Sequence, residues 1–133
     1  MDIPIVADDN QTTVSNLLWT KENFEAFVRS KPLAVIHFDA TWDVAHRPAA
    51  QRQMRLAQLK FETAVAFAEV DIDVEPELFQ LIGALNIPAI GYYRNGILVA
   101  ALIGADQDVA GRIDRLKCNQ KIGYGDGFDT SGS

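Results

Sequence analysis

One cysteine, Cys118, is all that the 133 residues contain. A single thiol cannot form a disulfide within its own chain, so dithiol exchange inside these residues is excluded by arithmetic. Nothing near Cys118 in sequence would activate a thiolate, and it reads as a plain semi-exposed thiol or as a site of intermolecular chemistry. Long apolar runs are missing as well, since no stretch approaches the ~20 residues needed to span a bilayer. The start MDIPIVADDNQTTVSN has neither a basic n-region nor an apolar h-region, so a secretory leader is not expected. Runs of positive charge are also absent: 12 Lys and Arg stand against 18 Asp and Glu, a formal charge of −6. Nucleic acid and anionic membrane reward clustered cations, so neither is an expected partner. A cytoplasmic setting is the expectation that these absences leave.

What is present suits one folded domain. A chain of this length buries about two thirds of the surface it exposes when unfolded, so no metal or disulfide staple is required. VSNLL (14–18) reads as a short first strand, after which Thr20 caps a helix that places Phe24, Phe27 and Val28 on one face. Pro32 ends that helix. LAVIHF (33–38) is short, apolar and bounded by Pro32 and Asp39, the pattern of a central strand covered on both faces. A helix is expected from about Ala49 to Phe61, then a second buried strand in TAVAFAEVDID (63–73) that runs into an acidic loop. Pro76 and Glu77 suit the first turn of the next helix. Arg94-Asn95-Gly96 lies between two apolar runs and signals a hairpin. Val109, Ile113 and Leu116 then share one face of a last helix. Segments 1–13 and 118–133 are expected to be flexible, leaving a domain over 14–117.

The order is β-α-β-α-β-α-β-β-α, an α/β arrangement with a central mixed sheet of four to five strands and helices on both faces. The pieces KPLAVIHFDATW, VDIDVEPEL and IGALNIPAIGYYRNGILVAALIGA, in that order, resemble the thioredoxin family over residues 14–117. The resemblance implies a thioredoxin-like fold, with Pro88 as the family's cis-proline beside the active-site turn. It also implies a Cys-x-x-Cys directly after Trp42, where this chain has Asp43 and His46. The fold therefore implies an oxidoreductase and the residues forbid one, because disulfide exchange needs an attacking thiolate and a resolving thiol. By the same resemblance, His37 stands at the family's buried Asp and Glu69 at its Lys partner. The pair has exchanged polarity. Asp39 stands where an aromatic is usual.

Each substitution admits a plain reading beside a sharper one. His37 held by Glu69 is a satisfied core histidine, or a pH-sensitive switch. Asp43 is an N-cap, accepting from the backbone of Ala45 or His46, while His46 stays neutral and partly exposed near the positive end of the helix dipole. Pro48 then requires either a kink or an irregular first turn. Asp43, His46 and Asp39 together form a conceivable metal or acid–base site, but no third strong ligand and no nucleophile is fixed by sequence. No metal and no cofactor is therefore expected. The preferred expectation is a redox-inactive protein- or peptide-binding, chaperone-like module whose surface comprises Trp42, Asp43, His46, Ile87, Pro88 and Ala89. The alternative is an enzyme of another class at Asp43 and His46.

Overall fold

The computed structural model describes residues 19–123. The expected strand at 14–18, segment 1–13 and most of the tail fall outside that range. Helix α1 (Lys21–Val28) starts at Thr20, whose hydroxyl accepts from the Asn23 N–H while the Asn23 side chain accepts from the Thr20 N–H. Strand β1 (Leu33–Asp39) is buried at all seven positions. Helix α2 (Arg47–Phe61) leads through a 3-10 turn (Glu62–Ala64) into β2 (Val65–Asp71). Helix α3 (Pro76–Ile82) opens on Pro76, where a missing N–H costs nothing, and ends on Gly83 at φ 71°. Strands β3 (Ala89–Arg94) and β4 (Ile97–Ile103) form a hairpin, and α4 (Val109–Lys117) closes the domain with Val109, Ile113 and Leu116 turned inward.

The sheet order is β2-β1-β3-β4, with β1 and β2 parallel and the other pairs antiparallel. Asn95 and Gly96 link the hairpin at φ 52° and 82°, the left-handed conformations that a two-residue hairpin turn demands. A bulge interrupts the β3–β4 register: Tyr93 faces Leu98 and Tyr92 faces Ala100, so Val99 has no counterpart.

Strand alternation divides the apolar residues between two layers. Ala34, Ile36 and Phe38 meet α1 and α3, whereas Leu33 and Val35 meet α2 and α4. His37 and Asp39 continue the second series, and on β2 Glu69 follows Val65 and Phe67. The layer under α2 thus turns from apolar to ionisable as it approaches the C-terminal end of β1. Phe38 pairs with Ala89 and Ala89 with Ile103, which brings the segments 40–46, 72–75, 83–88 and 104–108 to that same end.

Candidate functional site

The turn after β1 is tied down from several sides. The Ile72 N–H donates to the Asp39 carbonyl (2.9 Å), and the Asp43 N–H donates to the Ala40 carbonyl (3.0 Å). Helix α2 begins at Arg47 with His46 in the N-cap position and no side-chain cap. Pro48 therefore lies in the first turn, where proline is tolerated. Asp43 is not the cap of α2. It heads the turn before it, its carbonyl accepting from the Arg47 N–H (3.0 Å) and its Oδ1 lying 3.1 Å from His46 Nδ1. The helix thus begins three residues later than capping by Asp43 requires, because Pro48 leaves the earlier turn without a full hydrogen-bond ladder.

Below the turn lies a buried polar chain. His37 and Asp39 are each 1% exposed, and His37 Nε2 is 2.8 Å from Asp39 Oδ2. The Ala40 N–H donates to Asp39 Oδ1 at 2.9 Å. His37 and Glu69 are register partners, but Nδ1 and Oε2 are 3.8 Å apart, beyond a direct hydrogen bond. Glu69 is engaged chiefly by Arg47 (Nε to Oε2, 2.7 Å) and by Gln51 (Nε2 to Oε1, 3.1 Å). Asp39, Arg47 and Gln51 are partners that the sequence reading missed. Asp39 was accessible to it, since residues two apart on a strand share a face.

The two aspartates differ in character. Burial pushes the Asp39 carboxyl above the ordinary aspartate range and contact with Asp43 adds to the rise, against the hydrogen bonds from His37 and Ala40. Burial alone would also raise Asp43, but hydrogen bonds from Asp39, the His46 imidazole and the His46 backbone outweigh it and hold that carboxyl below its usual range. No N–H reaches Asp43 Oδ2 among the described residues.

Above the turn the surface is open. Trp42 is 63% exposed, yet its indole N–H donates to Asp73 Oδ2 at 2.8 Å, which fixes the ring against the loop after β2. The Ile87–Pro88 peptide bond is cis, and the Pro88 carbonyl accepts from the Gly104 N–H at 2.9 Å. The Ile87 N–H is held by the Asn86 side chain at 2.9 Å. Of the residues singled out from sequence, Trp42 and His46 are exposed and Ile87 is half-buried; Asp43, Pro88 and Ala89 are buried. Ala89 is wholly enclosed and offers a ligand no side-chain surface. Among the described residues, no group of three or more His, Cys, Asp or Glu side chains is placed to hold a metal ion, and no helix is long and apolar enough to cross a membrane.

Among the described residues, a four-stranded mixed sheet with helices on both faces and a cis-proline opposite the turn after β1 defines a thioredoxin-like domain. The family model described as Thioredoxin matches residues 15–114, and the chain belongs to that family. Among solved structures it is similar to oxidised thioredoxin from Plasmodium falciparum, at 23% identity and a TM-score of 0.60 over 74% of this chain and 92% of that one. It is also similar to mitochondrial thioredoxin 3 from Saccharomyces cerevisiae (21% identity, TM-score 0.62, 72% and 88% of the two chains). Malassezia sympodialis thioredoxin gives 20% identity and a TM-score of 0.61 over 76% and 85%. Likeness at these identities speaks for the fold alone. No curated protein matches the sequence.

Proposed function

We propose that the chain is a redox-inactive thioredoxin-like module that binds an extended protein segment beside Trp42 and Pro88, in a protein-binding or chaperone-like role. One observation carries this reading. Four exposed large apolar side chains, Trp42, Val44, Val74 and Leu85, sit on the loops gathered at the C-terminal end of β1, where a dithiol would otherwise stand. Exposed apolar side chains gathered at one end of a domain mark a place where another molecule is covered. An extended segment entering there can replace the Asn86 side chain on the Ile87 N–H and add strand-like bonds.

Two results are expected. The purified protein should reduce insulin disulfides no faster than the uncatalysed reaction, and sustained turnover would reject redox inactivity. On an array of extended peptides, Trp42→Ala and Ile87→Asp should each weaken capture by about ten-fold or more, the usual effect of losing an interface anchor. Their thermal midpoints should match the wild type. Capture of the same peptides with undiminished strength by both variants would place the binding surface elsewhere.

A further inference from the structure

The charges of this domain are sorted by sheet end. At the end where β1 and β2 finish, the last residue of β2, the loops and the first turn of α3 carry Asp71, Asp73, Glu75, Glu77, Asp106 and Asp108. Among the described residues the nearby cations are Lys21, at the start of α1, Arg47, which Glu69 already engages, and Arg112, which donates to Gln107. At the opposite end, where β1 begins and the hairpin turns, stand Arg29, Lys31, Arg94, Lys117 and Lys121. Among the described residues the acids there are Glu62 and Asp114, and Asp114 is paired with Lys60. The apolar surface around Trp42 therefore lies in a field that attracts cations.

Within that field one constellation is preorganised. The Asp73 N–H donates to Asp71 Oδ1 (2.9 Å), and the Val74 and Glu75 N–H groups donate to the Asp71 carbonyl (3.1 and 2.9 Å), so the loop is a tight turn. Asp73 holds the Trp42 indole through Oδ2, and no described residue donates to its Oδ1. An immobilised, exposed indole beside a carboxylate with a spare oxygen matches a guanidinium or ammonium group. The cation lies over the ring face and directs an N–H to the carboxylate.

We propose, building on the groove reading above, that the segment bound there is basic, and that an Arg or Lys side chain of the ligand stacks on Trp42 and pairs with Asp73. A second copy of this chain, offering its basic end, is the competing occupant. It is the weaker fit, because a folded hairpin end cannot lay an extended backbone along Ile87 while a side chain reaches Trp42.

The test uses fluorescently labelled, end-capped octapeptides of identical apolar residues with Arg, Gln or Glu at the centre, titrated by anisotropy against the full chain. The Arg peptide is expected to bind about ten-fold tighter than the Gln peptide at low salt, and the Glu peptide weaker than both. High salt should compress the series. Asp73→Asn keeps an oxygen to accept the indole N–H while removing the charge. It should collapse the Arg-to-Gln affinity ratio, measured on that variant, to about one. Arg and Gln peptides that bind equally, both needing Trp42, would overturn the cation preference and leave the groove reading standing. Absence of binding by all three would overturn both. Concentration-dependent sedimentation of the protein alone, abolished by Asp73→Asn, would assign the surface to a second copy and overturn the proposal.

Discussion

Tyr92→Ala is expected to lose about 4 kcal/mol of unfolding free energy, within the usual range for emptying a buried aromatic position. Tyr92 has no exposed surface and is the largest of the fully buried side chains, set in the layer under α2 and α4. Its hydroxyl donates to Gln107 Oε1 at 2.8 Å, and Gln107 in turn donates to the Leu102 carbonyl (2.6 Å) and the Gly104 carbonyl (3.0 Å). Truncation therefore leaves a void and removes one of the donors to a glutamine that braces the 104–108 loop. That loop is bonded to Pro88, so the damage reaches the groove. Tyr92→Phe keeps the ring and forfeits only the hydroxyl, at about 1 kcal/mol. Small domains have roughly 5–15 kcal/mol in total, so the alanine variant should unfold at far lower urea. A loss below about 1.5 kcal/mol would mean that the ring is not packed as described.

His37→Leu should cost about 3 kcal/mol at pH 7.5 and less at pH 5, because it strands a buried carboxylate while nearly conserving volume. Asp39 retains the Ala40 N–H but loses its 2.8 Å contact with the imidazole. The sign follows from proton binding. A carboxyl raised in the folded state binds its proton more tightly there than in the unfolded chain. Stability then falls as pH rises from the ordinary value of 3.8 through the raised folded value. Removing the imidazole takes away a contact that opposes the rise, so the window widens toward neutrality and the deficit grows with pH. Asp43 works in the opposite direction, its contribution being lost only as pH falls through its lowered value. Adding Asp39→Asn to His37→Leu should restore most of the loss and flatten the pH dependence. Urea titrations at the two pH values decide the matter: an equal deficit at both would dismiss the account of Asp39.

The backbone was legible because its signals are local. Buried strands read as short apolar runs, Pro76 and Thr20 marked helix starts, and Asn95-Gly96 marked the hairpin. The site was legible in part. The partnership of His37 with Glu69 followed from a resemblance, and the register places them side by side. The closer contact of His37 with Asp39 needed only strand alternation, but a carboxylate buried to 1% exposure next to another carboxylate is not what composition suggests. Arg47 and Gln51 reach Glu69 from another element, and the Trp42–Asp73 bond spans 31 residues. Contacts of that kind depend on how loops converge, and no periodicity records it.

The bulge at Val99 has a consequence for how copies of this protein coexist at high concentration. Strand β4, Ile97–Ile103, is an edge of the described sheet and holds seven residues without a charge or a proline. An edge of that composition is a template for recruiting further strands. The unpaired residue breaks the even spacing of free N–H and C=O groups and increases the local twist. It also resets alternation, so that Leu98 on one side and Ala101 and Ile103 on the other all face the same core. One inserted residue thus completes the interior and makes the strand a poor seed for aggregation.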